Sequence, residues 1–217
     1  QLYKSFVFGY EKDNPSDEYF KTKILEQESS AADKYPETLY TANLMFAKEY
    51  FKNRLKSLSK EDKEAIFDKV INRLKFNYYE IDDSLDVYVT FETMNNRGKD
   101  LSHLELLKNR LIYLSTLLHE DDETKGRLRT DINETWKTIY EYLGKNKDNP
   151  LDDDDFLFNH WIMYFTYDRS QSDVYAEFLL KKKFTVKNVL NGNISIKDIK
   201  NYIHSLSKCV KQWFYIF

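Results

Sequence analysis

Apolar residues recur at spacings of three and four along most of this chain, which is the pattern of amphipathic helices. The clearest stripe follows Ser102, and a second apolar stripe runs beside it. A face this wide predicts a helix at the centre of the fold. The leading stripe consists of Leu104, Leu107, Leu111, Leu114 and Leu118.

Similar stripes predict four further long helices. One begins after Pro36, one is capped by Ser59, one is stopped by Gly144 and one is capped by Ser195. The face of the helix after Ser59 is predicted to be buried. In chain order the stripes are Leu39, Ala42, Phe46 and Tyr50, with Phe51 and Leu55 alongside; Ile66, Val70 and Leu74; Ile132, Trp136, Ile139 and Leu143; and Ile196, Ile199, Ile203, Leu206, Val210, Trp213 and Phe217.

Signals for β-strands are weak and local. A short strand or extended segment is predicted at residues 2–8, a strand at residues 75–81 and a helix at about residues 16–27. Residues 84–94 fit both an alternating strand and one face of a helix, so periodicity leaves the two open. The chain is therefore predicted to be mainly α, a multi-helix bundle with at most a few short strands.

The composition agrees with a helical protein and indicates the cellular compartment in which it works. The chain has only 5 Gly and 3 Pro, and 32% of its residues are charged, which favours long helices with few tight turns. The single cysteine, Cys209, excludes an internal disulfide and fits a reducing cytoplasm. No apolar run approaches the length of a membrane span, so a cytoplasmic protein is predicted. The net charge of −3 argues against a uniformly basic DNA-binding surface.

The best candidate site is a turn that ends just before the central helix. Gly98 supplies backbone freedom, and the long cations Arg97 and Lys99 at a helix start favour contact with an anion or a phosphate. Ser102 and Glu105 are predicted to form a capping box that holds the turn in place. Turns of this form are also common connectors. The alternative is therefore that this turn only joins two elements and binds no ligand. The nucleotide-binding or DNA-binding candidates are Asn95, Arg97, Gly98 and Lys99, and the structural supports are Phe91, Glu92, Leu101, Ser102 and Glu105.

Other chemistry-bearing residues are interpreted as structural. The acids at 152–155 precede a helix, where carboxylates complement the positive helix end, and consecutive helical residues point in different directions. No metal site is therefore predicted, although His160 lies nearby. His160 itself is interpreted as a structural histidine, and the lysines at 181–183 with Lys187 as a solvated helix end. No nucleophile with a base beside it occurs, so no catalytic residue is assigned.

The motif at residues 91–102 resembles a known family. Phe-Glu-x-x-Asn-x-Arg-Gly-x-x-Leu-Ser, followed by a Leu-x-Leu-Leu-Lys-Asn helix, is similar to the signature of the GmrSD-type restriction-endonuclease N-terminal domain family. Looser matches near the start, around Tyr40 and at His160-Trp161 extend the resemblance over most of residues 1–165. Related sequences look helical at residues 84–94, which favours a helix there.

The resemblance implies a nucleotide-handling core of the ParB/sulfiredoxin type in a bacterial phage-defence protein that cuts modified DNA. The family's catalytic core carries an Asp-Gly-Gln-Gln-Arg motif, and many members add an HNH nuclease domain. This chain contains neither. The prediction is therefore a helical portion without independent catalysis, in a parent protein for which a nucleoside triphosphate and a divalent metal remain open as cofactors.

The same resemblance sets the expected organisation and partners. Residues 1–118 are predicted to form the helical part of the family domain, and residues 119–217 a further helical subdomain packed on it. Both ends of the chain are apolar, which suggests an excised fragment whose partners are its own missing N-terminal and C-terminal regions, and DNA through the full-length protein. A homo-oligomer stays open. The alternative function is a non-catalytic helical protein-interaction module, in which Arg97 pairs with an internal acid.

Overall fold

The computed structural model of the protein describes residues 16–28, 37–75, 101–145, 150–165 and 175–216. Every regular element in these ranges is a helix, and none of them contains a β-strand, which confirms the predicted mainly α fold. The predicted segments at 2–8 and 84–94 lie outside the described residues. Of the predicted strand at 75–81, only Lys75 is described.

Before the candidate turn, the described residues form three helices, two of which pass directly into a π-helical turn. They are α1, Asp17–Tyr19, continuing as Phe20–Ile24; α2, Leu39–Lys56; and α3, Lys60–Asp68, continuing as Lys69–Arg73.

In the part of the chain described after the turn, six more helices follow. They are α4, His103–Leu117; α5, Asp122–Leu143; α6, Asp153–Tyr164; α7, Tyr175–Glu177, continuing as the π-helical turn Phe178–Lys183; α8, Val186–Leu190; and α9, Ile196–Ile216.

Local capping explains where most of these helices begin. The Ser59 hydroxyl accepts the backbone N–H of Asp62 at 3.1 Å at the start of α3. At the start of α9, the backbone N–H of Ser195 donates to the Asp198 carboxylate at 2.8 Å, and the Asp198 N–H donates back to the Ser195 hydroxyl at 3.3 Å. These contacts satisfy backbone donors that lack an intrahelical partner. The predicted caps at Ser59 and Ser195 are confirmed.

The hydrophobic core lies between α4, α5, α6, α8, α9 and the π-helical turn after α7. All the predicted stripe residues of α4 are buried, and the most accessible of them, Leu118, is only 6% exposed. The indole N–H of Trp136 on α5 donates to the Leu104 carbonyl at 3.2 Å. The predicted boundary at residue 118 falls between α4 and α5, which both contribute to this core. The division into two parts stays a prediction.

Helix α2 reaches this bundle through its first turn. The backbone N–H of Leu39 donates to the Gly144 carbonyl at 2.6 Å, and the Tyr40 ring packs edge-on against Tyr140 at a centroid distance of 6.4 Å. A Cβ on Gly144 would lie 2.5 Å from the Tyr40 ring. The small size of Gly144 therefore leaves space at the end of α5 for the Tyr40 ring at the start of α2. The φ of Gly144 is −89°, so the residue does not adopt a left-handed conformation.

Most apolar side chains of α3 and several of α2 face solvent, although Leu44, Met45 and Ala47 of α2 are partly buried. The prediction that Ile66, Val70 and Leu74 line a buried face is wrong, because these residues are 40%, 51% and 60% exposed. Periodicity shows that a helix has an apolar face but not whether another element covers it. The exposed set, named here the arm surface, comprises Phe46, Tyr50, Phe51 and Leu55 of α2 and Ile66, Phe67, Val70, Ile71 and Leu74 of α3 and its π-helical turn.

The described helices were also compared with the length and apolarity that a membrane span requires. None of the helices in these ranges is both long and apolar enough to cross a membrane.

Candidate functional site

The predicted site is described only at its helical end. Asn95, Arg97, Gly98 and Lys99, with the supporting residues Phe91 and Glu92, lie outside the described residues. Leu101, Ser102 and Glu105 are described and form the start of α4. The candidate site therefore consists of the described N-terminal end of α4 and its neighbours, and the role of the preceding turn stays a prediction.

A reciprocal capping box fixes the start of α4. The Ser102 hydroxyl accepts the backbone N–H of Glu105 at 3.2 Å, and the Glu105 carboxylate accepts the backbone N–H of Ser102 at 3.2 Å. Ser102 has extended backbone angles, as an N-cap residue does. This confirms the predicted capping box. The polypeptide therefore enters α4 in one defined direction.

The first turn of α6 packs against this same end of α4. The Ser102 hydroxyl donates to the Asp153 carboxylate at 3.3 Å, and the backbone N–H of Leu104 donates to Asp154 at 3.3 Å. Asp152 caps its own helix by accepting the N–H groups of Asp154 and Asp155. The four acids at residues 152–155 therefore have different contacts. Asp152 caps α6, Asp153 and Asp154 contact the start of α4, and Asp155 is exposed.

Burial shifts the pKa values of groups at the junction, which is the place where the first turn of α6 packs against the start of α4. Desolvation, helped by the nearby carboxylates of Glu105, Asp152 and Asp154, raises the pKa of Asp153 to about 6, although the hydrogen bond from Ser102 opposes the shift. Burial also raises the pKa of the Tyr40 hydroxyl to about 12, with added repulsion from Asp153 and Glu105. The junction is therefore an electronegative environment that disfavours a further negative charge.

His103 and Tyr175 form a pair of contacting rings next to the junction. The Nδ1 atom of His103 lies 3.0 Å from the Asp154 carboxylate and 2.9 Å from the Tyr175 hydroxyl. The two rings meet edge-on at a centroid distance of 5.5 Å. Burial, with repulsion from the neighbouring aspartates, raises the pKa of Tyr175. This pair ties the start of α7 to the start of α4.

Sequence reasoning missed several of these residues. His103 and Tyr175 carry no local signal, and Tyr40 is visible only as part of a loose family match, because the partners of all three lie far away along the chain. Asp153 and Asp154 were visible as acids at a helix start, and that interpretation is compatible with their position in the first turn of α6. Their contacts with α4, about fifty residues earlier, could not be inferred from a single sequence.

His160 lies in the core, away from this junction. It is 3% exposed, and its Nε2 atom lies 3.0 Å from the Ser205 hydroxyl. Burial lowers its pKa to about 4, so the ring is neutral. The described residues contain no group of three or more His, Cys, Asp or Glu side chains arranged to hold a metal ion. The geometry agrees with a structural histidine.

Comparison with known protein families shows which family the chain belongs to. The family model described as GmrSD restriction endonuclease, N-terminal domain, matches residues 3–112. The chain belongs to this family. Neither the curated proteins nor the solved structures gave a significant match.

The family match and the junction overlap only in part. The matched range includes the Asn-Arg-Gly turn and the Ser102–Glu105 capping box of the GmrSD N-terminal domain, and it ends inside α4. Asp153, Asp154 and Tyr175 lie beyond it, as does the predicted extension of the resemblance to residue 165. In this chain, residues outside the matched range thus pack against the start of α4, which follows the Asn-Arg-Gly motif in the sequence.

Proposed function

We propose that this chain is the helical portion of a modification-dependent restriction protein, and that it supports or completes a nucleotide-handling or DNA-handling site. Membership of the GmrSD N-terminal domain family carries this proposal. The proposed ligand-contacting residues are Asn95, Arg97, Gly98 and Lys99, which immediately precede the capping box in the sequence. The remainder of the site would come from other parts of the parent protein.

The junction limits how this site could attract a phosphate. Helix N-termini commonly bind anions through free backbone N–H groups. At the start of α4 the N–H groups of Ser102, Leu104 and Glu105 are already bound to protein side chains. The nearby carboxylates also repel an anion. In the proposal the side chains of Arg97 and Lys99 therefore supply the attraction to phosphate, and the dipole of α4 does not.

The described residues provide no set of ligands for a divalent metal ion. The proposal accordingly assigns no metal-dependent step to this part of the chain. Any hydrolysis of DNA or of a nucleoside triphosphate belongs to the parent protein.

A second candidate function is a helical protein-interaction module. The observation that favours it is the group of carboxylates at Glu105, Asp153 and Asp154, which lies at the start of the helix that follows Arg97 and Lys99 in the sequence. Pairing of Arg97 with one of these acids would make the turn a structural brace. The same experiment separates the two functions.

The test replaces Arg97 in the intact protein. We expect Arg97→Ala to lower phage restriction or nucleotide turnover by about tenfold or more, because a cation that contacts phosphate is lost. Arg97→Lys should restore only part of the activity, because lysine cannot form two parallel hydrogen bonds to one phosphate. Thermal unfolding should be unchanged in both variants.

Arg127→Ala is the matched control, because Arg127 is an exposed cation on α5 that pairs with Glu123. It should keep full activity. Full activity of Arg97→Ala would contradict a site role. A lower melting temperature of Arg97→Ala with activity retained per folded molecule would support the interaction module.

A further inference from the structure

Three consecutive elements place five lysines on one corner of the bundle, named here the lysine corner. Lys181, Lys182 and Lys183 end the π-helical turn after α7, Lys187 lies on α8, and Lys197 lies in the first turn of α9. Lys183 is half-buried and the other four are exposed. Within the described part of the chain, none of the five forms an ion pair. Their charges are therefore not neutralised by contacts inside the protein.

Hydrogen bonds hold the elements of the lysine corner together. The side-chain amide of Asn188 on α8 donates to the carbonyl oxygens of Lys182 and Lys183 at 2.7 and 2.8 Å. The backbone N–H of Asn193, just before α9, donates to the Asn188 carbonyl at 2.8 Å. One asparagine thus joins the end of the π-helical turn to the segment that leads into α9.

Electrostatic effects on Asp198 show that Lys183 and Lys197 lie near each other. Hydrogen bonds from the Ser195 hydroxyl and backbone N–H lower the pKa of Asp198, and the charges of Lys183 and Lys197 lower it further. Lys183 ends one element and Lys197 begins another, yet both act on the same carboxylate. The lysines of the corner are therefore neighbours in space as well as in sequence.

The sequence alone interprets the lysines at 181–183 as a solvated helix end, where the dipole and unpaired carbonyl groups favour positive charge. In the structure the Asn188 amide already binds the carbonyls of Lys182 and Lys183, and the Phe184 N–H donates to the Leu179 carbonyl at 2.9 Å. The ammonium groups are not needed to bind these carbonyls. Leu179 and Phe184 are buried, so the segment that carries the lysines is also fixed to the core.

The charge balance of the whole region is positive. Residues 175–200 contain six lysines and two acids, Glu177 and Asp198, which gives a net charge of +4, whereas the whole chain carries −3. The sixth lysine, Lys200, is left out of the corner because its ammonium lies 3.7 Å from the Asp131 carboxylate. A local positive surface on an otherwise acidic protein attracts a polyanion to one place.

The side chains around the corner favour the phosphate backbone of duplex DNA among polyanions. The only aromatic residue in the described range 181–200 is Phe184, which is buried, so no ring is offered to unpaired bases. Leu190 is the only large apolar residue of this range that is exposed, and insertion into a membrane requires a wider apolar face. Lysine ammonium groups contact phosphates as point charges and do not read base edges.

We propose that the lysine corner binds the phosphate backbone of duplex DNA without regard to base sequence. The choice of DNA as the polyanion rests on the proposed function. The corner lies beyond the family-matched residues 3–112 and is a contact surface separate from the Asn-Arg-Gly motif. Each ammonium group that contacts a phosphate releases a condensed counterion, so the affinity falls steeply as salt is added.

The test measures binding of the whole chain to a fluorescent duplex of about 20 base pairs by anisotropy at several salt concentrations. We expect a wild-type Kd of about 10 µM or tighter at about 50 mM salt. The double variant Lys182→Gln/Lys187→Gln should raise the Kd by about tenfold and reduce the slope of log Kd against log salt by about 2. Its melting temperature should not change, because both side chains are exposed.

Lys63→Gln/Lys69→Gln is the matched control, because it removes the same charge from two exposed lysines of α3 and its π-helical turn. It should keep the Kd within about twofold, and Lys182→Arg/Lys187→Arg should do the same, because the charges remain. Equal weakening by the two glutamine variants would show that only the net charge matters, and it overturns the proposal.

Other probes decide the class of partner. Absence of duplex binding by the wild type at about 100 µM overturns the proposal. So does tighter binding to single-stranded DNA, or equal binding to polyglutamate or to vesicles that contain phosphatidylserine. The Arg97 test gives a separate answer. Full activity of Arg97→Ala with duplex binding lost in the corner variant contradicts the proposed function and supports the corner, whereas normal duplex binding by the corner variant contradicts the corner alone.

Discussion

Asp153 and His160 lie on the same helix, α6, and burial favours the neutral form of both. The pKa of Asp153 is raised to about 6 and that of His160 is lowered to about 4. These shifts act on stability in opposite directions as the pH falls. Acidification through the pKa of Asp153 removes a buried charge, whereas acidification below the ordinary pKa of histidine favours the unfolded chain, where the ring can be protonated.

Asp153→Asn should stabilise the protein at neutral pH. The folded-state pKa lies above the unfolded value, so ionisation of Asp153 opposes folding above about pH 6 and ceases to do so below about pH 4. Partial exposure reduces the effect, and we expect a gain of about 1–2 kcal/mol at pH 7–8. Urea unfolding at several pH values measures it.

The control for this variant is Asp155→Asn, which alters an exposed acid of the same quartet. We expect little change from it at any pH. A stability gain for Asp153→Asn that persists undiminished below pH 4 would show that ionisation is not its cause.

His160→Gln should make the free energy of unfolding less dependent on pH under acidic conditions. The folded-state pKa lies below the unfolded value, so wild-type stability falls as the pH is lowered from about 6.5 to about 4. This group alone contributes a loss of about 2–3 kcal/mol. Glutamine keeps a polar partner for Ser205 but does not titrate, and unfolding measured across this pH range should show a shallower slope.

His204→Gln provides the comparison, because His204 is an exposed histidine on α9. Its pH profile should match that of the wild type. An unchanged slope in His160→Gln would exclude His160 as the source of acid sensitivity.

At the scale of elements, the end of α5 shows that a correct prediction can have a different physical basis. Gly144 does end the helix, as predicted. Glycine is common at helix ends because it adopts left-handed angles, but Gly144 does not adopt them. Its small size is what the site requires, because the Tyr40 ring occupies the space of a Cβ.

Gly144→Ala should destabilise the protein by about 1–3 kcal/mol, the usual range for forcing an extra group into a packed site. The added methyl group would displace Tyr40 and weaken the hydrogen bond from Leu39 to the Gly144 carbonyl. Chemical denaturation measures the change in free energy of unfolding.

Gly126→Ala tests the same substitution in open space within α5, where no atom lies within 4 Å of the added Cβ. This variant should be more stable than the wild type by about 0.5–1 kcal/mol, because alanine favours helix. Equal effects of the two substitutions would contradict the role of Tyr40.

The helices themselves were largely predictable, because their signals are local. Ser59, Ser102 and Ser195 bind the backbone N–H groups three residues later, and stripes such as that of α4 follow the helical period. The burial of a stripe is not local. The face of α3 has the same spacing as that of α4, yet α3 is exposed and α4 is central.

At the scale of the whole molecule, α4 links the family domain to the rest of the chain. Its first turn belongs to the range matched by the GmrSD N-terminal domain, and its buried leucines pack in a core with α5, α6, α8 and α9. A change in the packing of this bundle therefore acts directly on the element that follows the candidate turn.

The order of residues by itself determined the helical class, the capping boxes at Ser102 and Ser195 and the family relationship, because each depends on residues close together along the chain. Only the tertiary structure decided that Asp153 and Asp154 meet the start of α4 and that the arm surface faces solvent. Contacts across about fifty residues depend on how whole helices pack, and spacing along one helix contains no information about its neighbour.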